Sequence, residues 1–274
     1  AGGIWYYMAG GAGHWQETVL DLGNNVKMRL VLIPAGKFMM GSPATEVGRN
    51  SDEGPQHEVT ISKPFYMGVF EVTQEQYEQV MGVNPSYFKG AKNPVEQVSW
   101  DEAVEFCRKL SARTGKKVML PTEARWEYAC RAGTTTAFHT GDALKPGQAN
   151  AYIPKTSNPR VWDTIMAWVG KFFPQKAKTI QTTPAGSFPP NGFGLYDMHG
   201  NVWEWCSDWY DDSYANAKNQ DPTGADTGSL RVLRGGSRFY PPRICRSAAR
   251  SRTNPVNRSV DYGFRVAVLA AGVD

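Results

Sequence analysis

The sequence predicts an α+β fold with little regular secondary structure, and three observations lead to that prediction. Three well-capped helical segments occur before residue 133. After residue 133 the helical periodicity mostly disappears, and Gly, Pro, Asn and Trp become frequent. Aromatic residues make up 12% of the chain, with nine Trp, which argues for a packed globular core. Helices followed by a loop-rich β half are typical of α+β domains.

The first strands are predicted by apolar runs that end at turn residues. Residues 26–38 form a strand candidate that contains a Pro-Ala-Gly turn. Residues 39–58 are mostly polar, with several Gly, and predict a loop. Residues 57–61 and 65–72 then return to extended patterns. We therefore expect several short strands before the first helix.

Each helix is predicted between an N-cap residue and a glycine. Thr73 and Gly82 bound a helix over 74–81, Ser99 and Gly115 bound one over 100–112, and Thr122 and Gly133 bound one over about 123–131. The first two caps are capping boxes, because a Gln or Glu follows three residues after the cap. In the second helix, apolar residues at i, i+3, i+4 and i+7 predict a stripe that packs into the core.

The four cysteines, Cys107, Cys130, Cys206 and Cys245, favour buried free thiols. No pair has the C-x-x-C spacing of a zinc site. An even number permits disulfides, but a domain of this size does not need them. Cys107 lies within the apolar stripe of the second helix, where a core position is expected.

The composition limits the partners that the chain is expected to bind. The net charge of +4 is modest, and acids and bases are mixed along most of the chain, so no nucleic acid is expected. No run of about 20 apolar residues predicts a transmembrane helix. The start lacks a signal-peptide pattern. We expect a monomer, and a cell-surface or extracytoplasmic location if a leader or lipid anchor was removed.

The segment 231–265 differs in composition from the rest of the chain. It has nine Arg and one carboxylate, Asp261, and it lacks Lys, Glu, Gln, Met and Trp. Aromatic residues and Arg are the types that dominate binding hot spots, so the segment predicts a ligand-contacting surface. The alternative is a pair of surface strands with an ordinary Arg bias.

Five sequence blocks resemble those of formylglycine-generating-enzyme-like domains. They are residues 33–36 (IPAG), 41–42 (GS), 121–129 (PTEARWEYA), 188–209 (FPPNGFGLYDMHGNVWEWCSDW) and 231–266 (RGGS…CRSAARS…GFRV). The resemblance covers about residues 27–268 and implies a C-type-lectin-like fold. Residues 1–26 are then an N-terminal extension, and residues 152–183 an insertion.

Some relatives are enzymes, and this chain departs from their metal-site patterns. The copper-using oxidases that form formylglycine resemble one another in two reactive cysteines after the Gly-Gly-Ser turn, whereas only Cys245 follows it here. A close thiolate pair suits Cu(I), so no copper is expected, and a cysteine oxidase remains the alternative function. The iron-dependent relatives need three His ligands. His14, His57, His139 and His199 are widely spaced, and we interpret His199 as a turn or packing residue.

A third group of relatives, the variable proteins of diversity-generating retroelements, fits the composition of segment 238–262. Their C-terminal segment is rewritten by adenine-specific mutagenesis, and an AAC codon so randomised cannot encode Lys, Glu, Gln, Met or Trp. The candidate ligand-contacting residues are Arg238, Phe239, Tyr240, Arg243, Ile244, Ala249, Ser251, Arg252, Thr253, Val256, Ser259, Val260, Asp261 and Tyr262. We predict a non-enzymatic, receptor- or adhesin-like binding protein. The arginines favour a protein or surface ligand with anionic patches.

The Gly-Asn-Val-Trp-Glu-Trp block predicts both core packing and a calcium site. In a strand, Trp203 and Trp205 share one face and Glu204 takes the other, so both tryptophans are expected to anchor the core. The family resemblance implies that Glu204 and Asn201, with the carbonyls of Gly200 and Val202, bind structural Ca²⁺. Such oxygen ligands suit that ion.

Overall fold

The computed structural model describes residues 15–153 and 180–270, and it confirms the α+β class. The strands are β1 (Glu17–Asp21), β2 (Lys27–Ile33), β3 (Gly36–Met40), β4 (His57–Ile61), β5 (Phe65–Gly68), β6 (Val118–Met119), β7 (Trp203–Trp209), β8 (Arg231–Arg234), β9 (Arg250–Thr253), β10 (Tyr262–Gly263) and β11 (Ala267–Leu269). The helices are α1 (Gln74–Met81), α2 (Trp100–Thr114) and α3 (Glu123–Arg131). Within this part of the chain no helix is both long and apolar enough to cross a membrane.

A five-stranded sheet in the order β1-β2-β5-β11-β6 joins the two ends of the domain. Strand β11 pairs antiparallel with both β5 and β6, so the C-terminal strand is inserted between N-terminal ones. Strand β1 lies inside the predicted extension 1–26 and pairs along its whole length with β2. The sheet therefore begins before residue 27, and residues 17–21 belong to the domain.

The predicted strand over 26–38 is divided in the structure. Strand β2 ends at Ile33, the Pro-Ala pair turns the chain, and β3 runs from Gly36 to pair with β4 in a separate two-stranded sheet. The predicted loop 39–58 contains a short 3₁₀ helix, Ser51–Glu53, whose Glu53 is fully buried. This polar loop therefore contributes a carboxylate to the interior.

The helices begin at the predicted caps. Thr73 and Ser99 close capping boxes with Gln76 and Glu102, and Thr122 accepts a hydrogen bond from the backbone of α3. Helix α2 extends two residues beyond its predicted end, to Thr114, because the left-handed Gly115 is the residue that ends it. Its apolar stripe is buried, and the Phe106 ring stacks on the ring of Tyr77 in α1 at a centroid distance of 5.6 Å.

A second sheet, in the order β10-β7-β8-β9, forms the core of the C-terminal half. Trp203 is 3% exposed and Trp205 is fully buried, which confirms that both anchor the core. The Trp205 indole donates to the Val98 carbonyl (2.9 Å) and so joins this sheet to the segment before α2. Predicted insertion 152–183 lies mostly outside the described residues.

All four cysteines are buried free thiols, as predicted. Burial raises the pKa of the Cys130 and Cys245 thiols to about 12, so both are protonated at neutral pH. We expect no thiol of the native protein to react with Ellman's reagent at pH 8, and all four to react after denaturation in guanidinium chloride. Rapid labelling of one thiol in the native state would show that a cysteine is accessible.

Candidate functional site

The candidate surface begins at the Gly-Gly-Ser turn, which requires both glycines. Gly235 and Gly236 have φ of +91° and +74°. A Cβ on Gly236 would lie 2.5 Å from the sulfur of Cys245. Only residues without a side chain fit this turn, which places Ser237 and Cys245 side by side. The Cys245 thiol points to the carbonyl of Ser237 (3.8 Å) in the interior.

The arginines of segment 231–265 are mostly internal, contrary to the expectation of a basic surface. Among the described residues, six of the nine form ion pairs with Asp or Glu: Arg234, Arg246, Arg250, Arg252, Arg258 and Arg265. Arg231 is stacked between Trp100 and Trp209, with 3.7 and 3.4 Å from its guanidinium carbon to the ring centroids. Most arginines of segment 231–265 therefore bind carboxylates or aromatic rings of other segments of the chain.

Three buried pairs connect the C-terminal segment to distant parts of the chain. Arg246 binds Glu53 of the N-terminal loop, Arg250 binds Glu123 at the start of α3, and Arg265 binds Glu204 of β7. In each pair both side chains are at most 4% exposed. Such pairs depend on full hydrogen bonding, because unpaired charges are very costly inside a protein.

The fourteen candidate ligand residues fall into three classes of exposure. Four are exposed: Tyr240, Arg243, Arg252 and Val256. Seven are half-buried: Phe239, Ile244, Ser251, Thr253, Ser259, Val260 and Tyr262. Three are buried, which corrects the prediction that they contact a ligand: Arg238, Ala249 and Asp261. Eleven of the predicted positions can therefore be reached from solvent.

The buried candidates support the backbone of the segment. The Arg238 guanidinium donates to the carbonyls of Ile180 and Val260 (2.9 and 2.8 Å) and lies over the Phe239 ring. Asp261 accepts hydrogen bonds from Ser237 (2.9 Å) and Ser259 (2.5 Å). Since buried polar groups must be paired, these two residues are needed for packing.

The structure brings five side chains together in what we call the aromatic patch: Trp203, Tyr240, Ile244, Thr253 and Tyr262. Tyr240 meets Trp203 edge-on, with ring centroids 5.6 Å apart. Ile244 and Tyr262 pack on the same core cluster as Trp203. Burial raises the pKa of Tyr262, and a hydrogen bond with Thr253 offsets part of that rise, which places Thr253 against Tyr262. Trp203 is buried and forms the floor of the patch, while the other four side chains reach solvent and combine aromatic and apolar area with hydroxyl groups, as hot spots do.

Strand alternation separates Arg252 from the aromatic patch. Ser251 and Thr253 face one side of β9, and Arg252 faces the other. The Arg252 guanidinium donates to the Tyr210 hydroxyl (2.9 Å) and lies over that ring. Arg252 and Thr253 of the patch therefore lie on opposite faces of the edge strand β9.

The predicted calcium ligands do not fit a calcium site through Glu204. Both Glu204 oxygens accept hydrogen bonds from Arg265, each at 2.6 Å, and one also accepts from the Trp126 indole. The Asn201 side-chain oxygen accepts from Asn150 and from the Thr183 backbone. A cation at Glu204 would lie against a guanidinium, which opposes binding. Among the described residues, no set of three His, Cys, Asp or Glu is arranged to hold a metal.

Two carboxylates beside Glu204, which are not among the predicted calcium ligands, suggest a different calcium site, and we propose that calcium binds there. Glu71 and Asp197 are buried, and each has one oxygen that finds no hydrogen-bond partner among the residues that the structure describes. Burial raises the pKa of Asp197 to about 6, and burial and the charge of Asp197 raise the pKa of Glu71. A proton or a cation would satisfy these oxygens, and calcium is the cation that suits them.

We expect calcium at about 100 times its Kd to raise the free energy of unfolding by about 2.7 kcal/mol at pH 7. Thermal melts with millimolar calcium or magnesium would measure the effect. Asp197→Asn should abolish the calcium response, and Asp212→Asn, at an exposed position, should retain it. An unchanged melting temperature in calcium would refute the proposal.

Two histidines that the sequence analysis did not expect to be neighbours are in contact in the structure. The rings of His139 and His199 stack with centroids 4.9 Å apart, and a His199 nitrogen bonds to the Cys245 carbonyl (2.7 Å). Burial lowers the pKa of His139 to about 4 and that of His199 to about 3. Both rings are neutral at pH 7, which agrees with the interpretation of His199 as a packing residue. Their spacing of 60 residues gave no signal.

Comparison with known proteins identifies one family model and several similar structures. Residues 21–270 match the sulfatase-modifying factor enzyme 1-like domain. The formylglycine-generating enzyme of Mus musculus is 32% identical over 301 residues, covering 87% of this chain and 74% of that protein. PvdO from Pseudomonas aeruginosa superposes with a TM-score of 0.76 at 32% identity, over 92% of this chain and 98% of that one. Treponema denticola variable protein 1 superposes at 0.74 and 27% identity, over 93% and 99%.

Proposed function

Because this chain belongs to the sulfatase-modifying factor enzyme 1-like family, which supplies the fold for both enzymes and binding proteins, we propose that it is a non-enzymatic ligand-binding protein. Its contact surface would be the aromatic patch, of which Tyr240 is the most exposed member, together with the exposed Val256 of segment 238–262. The similarity to Treponema denticola variable protein 1 over nearly the full length of both chains supports a diversified surface in the same segment.

The observation that carries the proposal is the state of Cys245. It is the one cysteine after the Gly-Gly-Ser turn, it is fully buried, and its pKa is raised to about 12. A thiol that stays protonated is a poor nucleophile and a poor ligand for a soft metal. The other three cysteines lie in core clusters other than that of Cys245. His199 separates Cys130 from Cys245, because its two ring nitrogens face the Cys130 thiol (4.0 Å) and the Cys245 carbonyl (2.7 Å). A paired-thiolate oxidase is therefore the weaker interpretation.

The ion pairs explain how such a surface tolerates change. The scaffold is held by Arg246, Arg250 and Arg265, whose side chains lie inside. The exposed side chains of Tyr240 and Val256 contribute little to the core. A binding surface on a rigid support can vary without loss of the fold.

The structure changes the kind of partner that we propose. The anionic partner expected from the arginines loses its support, because among the described residues six of the nine already pair with a carboxylate of the same chain, four of them in buried pairs. The aromatic patch favours a ligand with exposed apolar and hydrogen-bonding groups, such as a protein surface.

The gene itself tests the diversification. Sequencing the DNA downstream of the coding region should reveal a near-copy of codons 238–262 that differs only at adenines, beside a reverse-transcriptase gene. The codons of Arg238, Ala249 and Asp261, which are buried, should vary less than those of Tyr240 and Val256. Finding neither element, with ordinary mixed codons, would remove the diversified-receptor interpretation.

An oxygen electrode separates the binding protein from the oxidase. Protein supplied with Cu(I) and a cysteine-containing peptide should consume no more oxygen than buffer, and a Cys245→Ala variant should behave identically. A known formylglycine-generating enzyme provides the positive control. Oxygen uptake that requires Cys245 would establish the oxidase and refute our proposal.

A further inference from the structure

A separate cavity of about 230 Å³ lies on another part of the molecule. It is bounded by the start of α3, the end of β7 and the loop of residues 211–226, with Met40 of β3 and Arg250 of β9. None of the aromatic-patch residues lines it. This cavity therefore belongs to neither the proposed binding surface nor the proposed calcium site.

The loop that covers the cavity is anchored at several points. The Tyr214 amide donates to the Gly54 carbonyl (3.0 Å), and the Asp221 amide donates to the Thr60 carbonyl (2.9 Å). Asp221 also accepts a hydrogen bond from the Ser62 amide (3.0 Å). These contacts fix the wall to β4 and its flanks, so the cavity is preformed, as ligand sites usually are.

Asp208 provides an available acceptor in this cavity. It is 3% exposed, and its Oδ2 accepts hydrogen bonds from the Glu123 amide and the Ser207 hydroxyl, both at 2.9 Å. The described residues donate no hydrogen bond to Oδ1, and this oxygen is not closed off from solvent as the unpartnered oxygens of Glu71 and Asp197 are. It can therefore accept a hydrogen bond from a ligand in the cavity in place of water.

Arg250, the buried cation of the cavity lining, has no free hydrogen-bond donor. Arg250 donates from Nε and Nη2 to Glu123, and from Nη1 to the carbonyls of Asp52 and Asp211. All three of its nitrogens are thus engaged within the protein. Arg250 therefore offers an anionic ligand no free donor, whereas Oδ1 of Asp208 can accept from a donating ligand. Lys218, the other cation of the lining, is exposed.

The charge and shape of the lining also favour a cation. Of the charged residues that line the cavity, four are acidic and two basic: Glu123, Asp208, Asp211 and Asp226, against Lys218 and Arg250. Met40, Ala124 and Pro222 supply apolar walls. The volume is below the range of sites for drug-sized ligands, so the occupant must be compact.

We propose that this cavity binds a compact primary alkylammonium ion, with the ammonium group on the carboxylate of Asp208 and the alkyl stem against the apolar walls. This site does not rest on the proposed function. The ammonium ion can donate three hydrogen bonds, and its positive charge balances the excess of acidic residues in the lining.

The environment of Asp208 makes the affinity for an ammonium ion depend on pH. Burial and the charge of Glu123 raise the pKa of Asp208 to about 7, against the opposing effect of Arg250. The other charged neighbours are Arg125 of α3 and Arg231 of β8. Binding a cation favours the ionised carboxyl, so below pH 7 the ligand must displace a proton. Affinity should fall about tenfold per pH unit there.

Isothermal titration with n-butylammonium chloride tests the site, with n-butanol and butyrate as neutral and anionic controls. We expect saturable binding of the ammonium at pH 8 with a Kd on the order of 1 mM, weaker binding at pH 6, and none of either control. Asp208→Asn keeps the acceptor for the Glu123 amide and should weaken binding at least about tenfold. Asp212→Asn, outside the cavity, should bind like the parent.

Thr223→Trp, on the exposed rim of the cavity, provides a second variant that blocks the entrance without changing Asp208. It should reduce binding while leaving the melting temperature unchanged. Absence of saturable binding by the parent protein at pH 8 would overturn the proposal. So would equal binding of butanol, or undiminished binding by a folded Asp208→Asn variant.

Discussion

Replacing Arg265 with Leu is expected to lower the free energy of unfolding by about 3–5 kcal/mol, the largest loss that we predict for a single substitution. Its guanidinium holds both oxygens of Glu204 at 2.6 Å and also donates to the carbonyls of Gly68 and Tyr196. Without it, the buried Glu204 carboxylate keeps the Trp126 indole as its one side-chain donor among the described residues, and it lies beside the buried carboxyl groups of Glu71 and Asp197. Urea denaturation followed by tryptophan fluorescence measures the change.

Arg258→Leu provides the matched control. Its pair with Glu102 has the same bidentate geometry, but the side chains are 54% and 33% exposed and the charges are screened by water, so its loss should cost far less than that of the buried pair. Replacing Glu204 and Arg265 together with Leu should recover part of the loss, because no charge is then left unpaired. If Arg265→Leu costs no more than Arg258→Leu, the buried pair is not what holds β10 and β11 to β7.

Replacing Asp208 with Asn is expected to stabilise the protein by about 2–4 kcal/mol at pH 8. The pKa of Asp208 is raised from its ordinary value of 3.8 to about 7. Between these two values the native state holds a proton that the unfolded state has released. The stability of the parent therefore falls as the pH rises through this window, and the loss remains above pH 7. Asn carries no charge and avoids this loss.

The difference between the Asp208→Asn variant and the parent should vanish near pH 4, where the unfolded state is also protonated. Denaturation curves from pH 4 to 8 measure it, with Asp212→Asn as an exposed control that should give no pH-dependent difference. A difference that is constant with pH would mean that the charge of Asp208 is not the cause. Stabilisation by removal of a buried charge is typical of binding sites, where function is favoured over stability.

The helices were predicted well because their determinants are local. Thr73, Ser99 and Thr122 satisfy free amides within three residues, and Gly115 adopts the left-handed conformation that ends α2. The strand content was less predictable. The chain turns at 34–35 between β2 and β3, and β1 joins the sheet from a segment that we assigned to an extension, because strand pairing depends on partners elsewhere in the chain.

The arginine-rich segment shows where composition misleads. Nine Arg with one carboxylate predicted a basic surface, but their acidic partners come from other segments: Glu53 lies 193 residues from Arg246, and Glu127 lies 107 from Arg234. Arg238 and Asp261, predicted as ligand contacts, are buried supports of the same backbone. A residue list for one segment cannot reveal that its charges are neutralised by distant groups.

By itself the sequence determined the three helices and their caps, the core positions of Trp203 and Trp205, the buried thiols, and the family, because each follows from short-range spacing or from motifs in a fixed order. Only the tertiary structure decided which arginines are internal, which residues form the aromatic patch, that Glu204 belongs to Arg265, and that Asp208 faces a cavity. These properties arise from contacts between segments far apart in the chain, and burial, which sets their energies, exists only once the segments have packed.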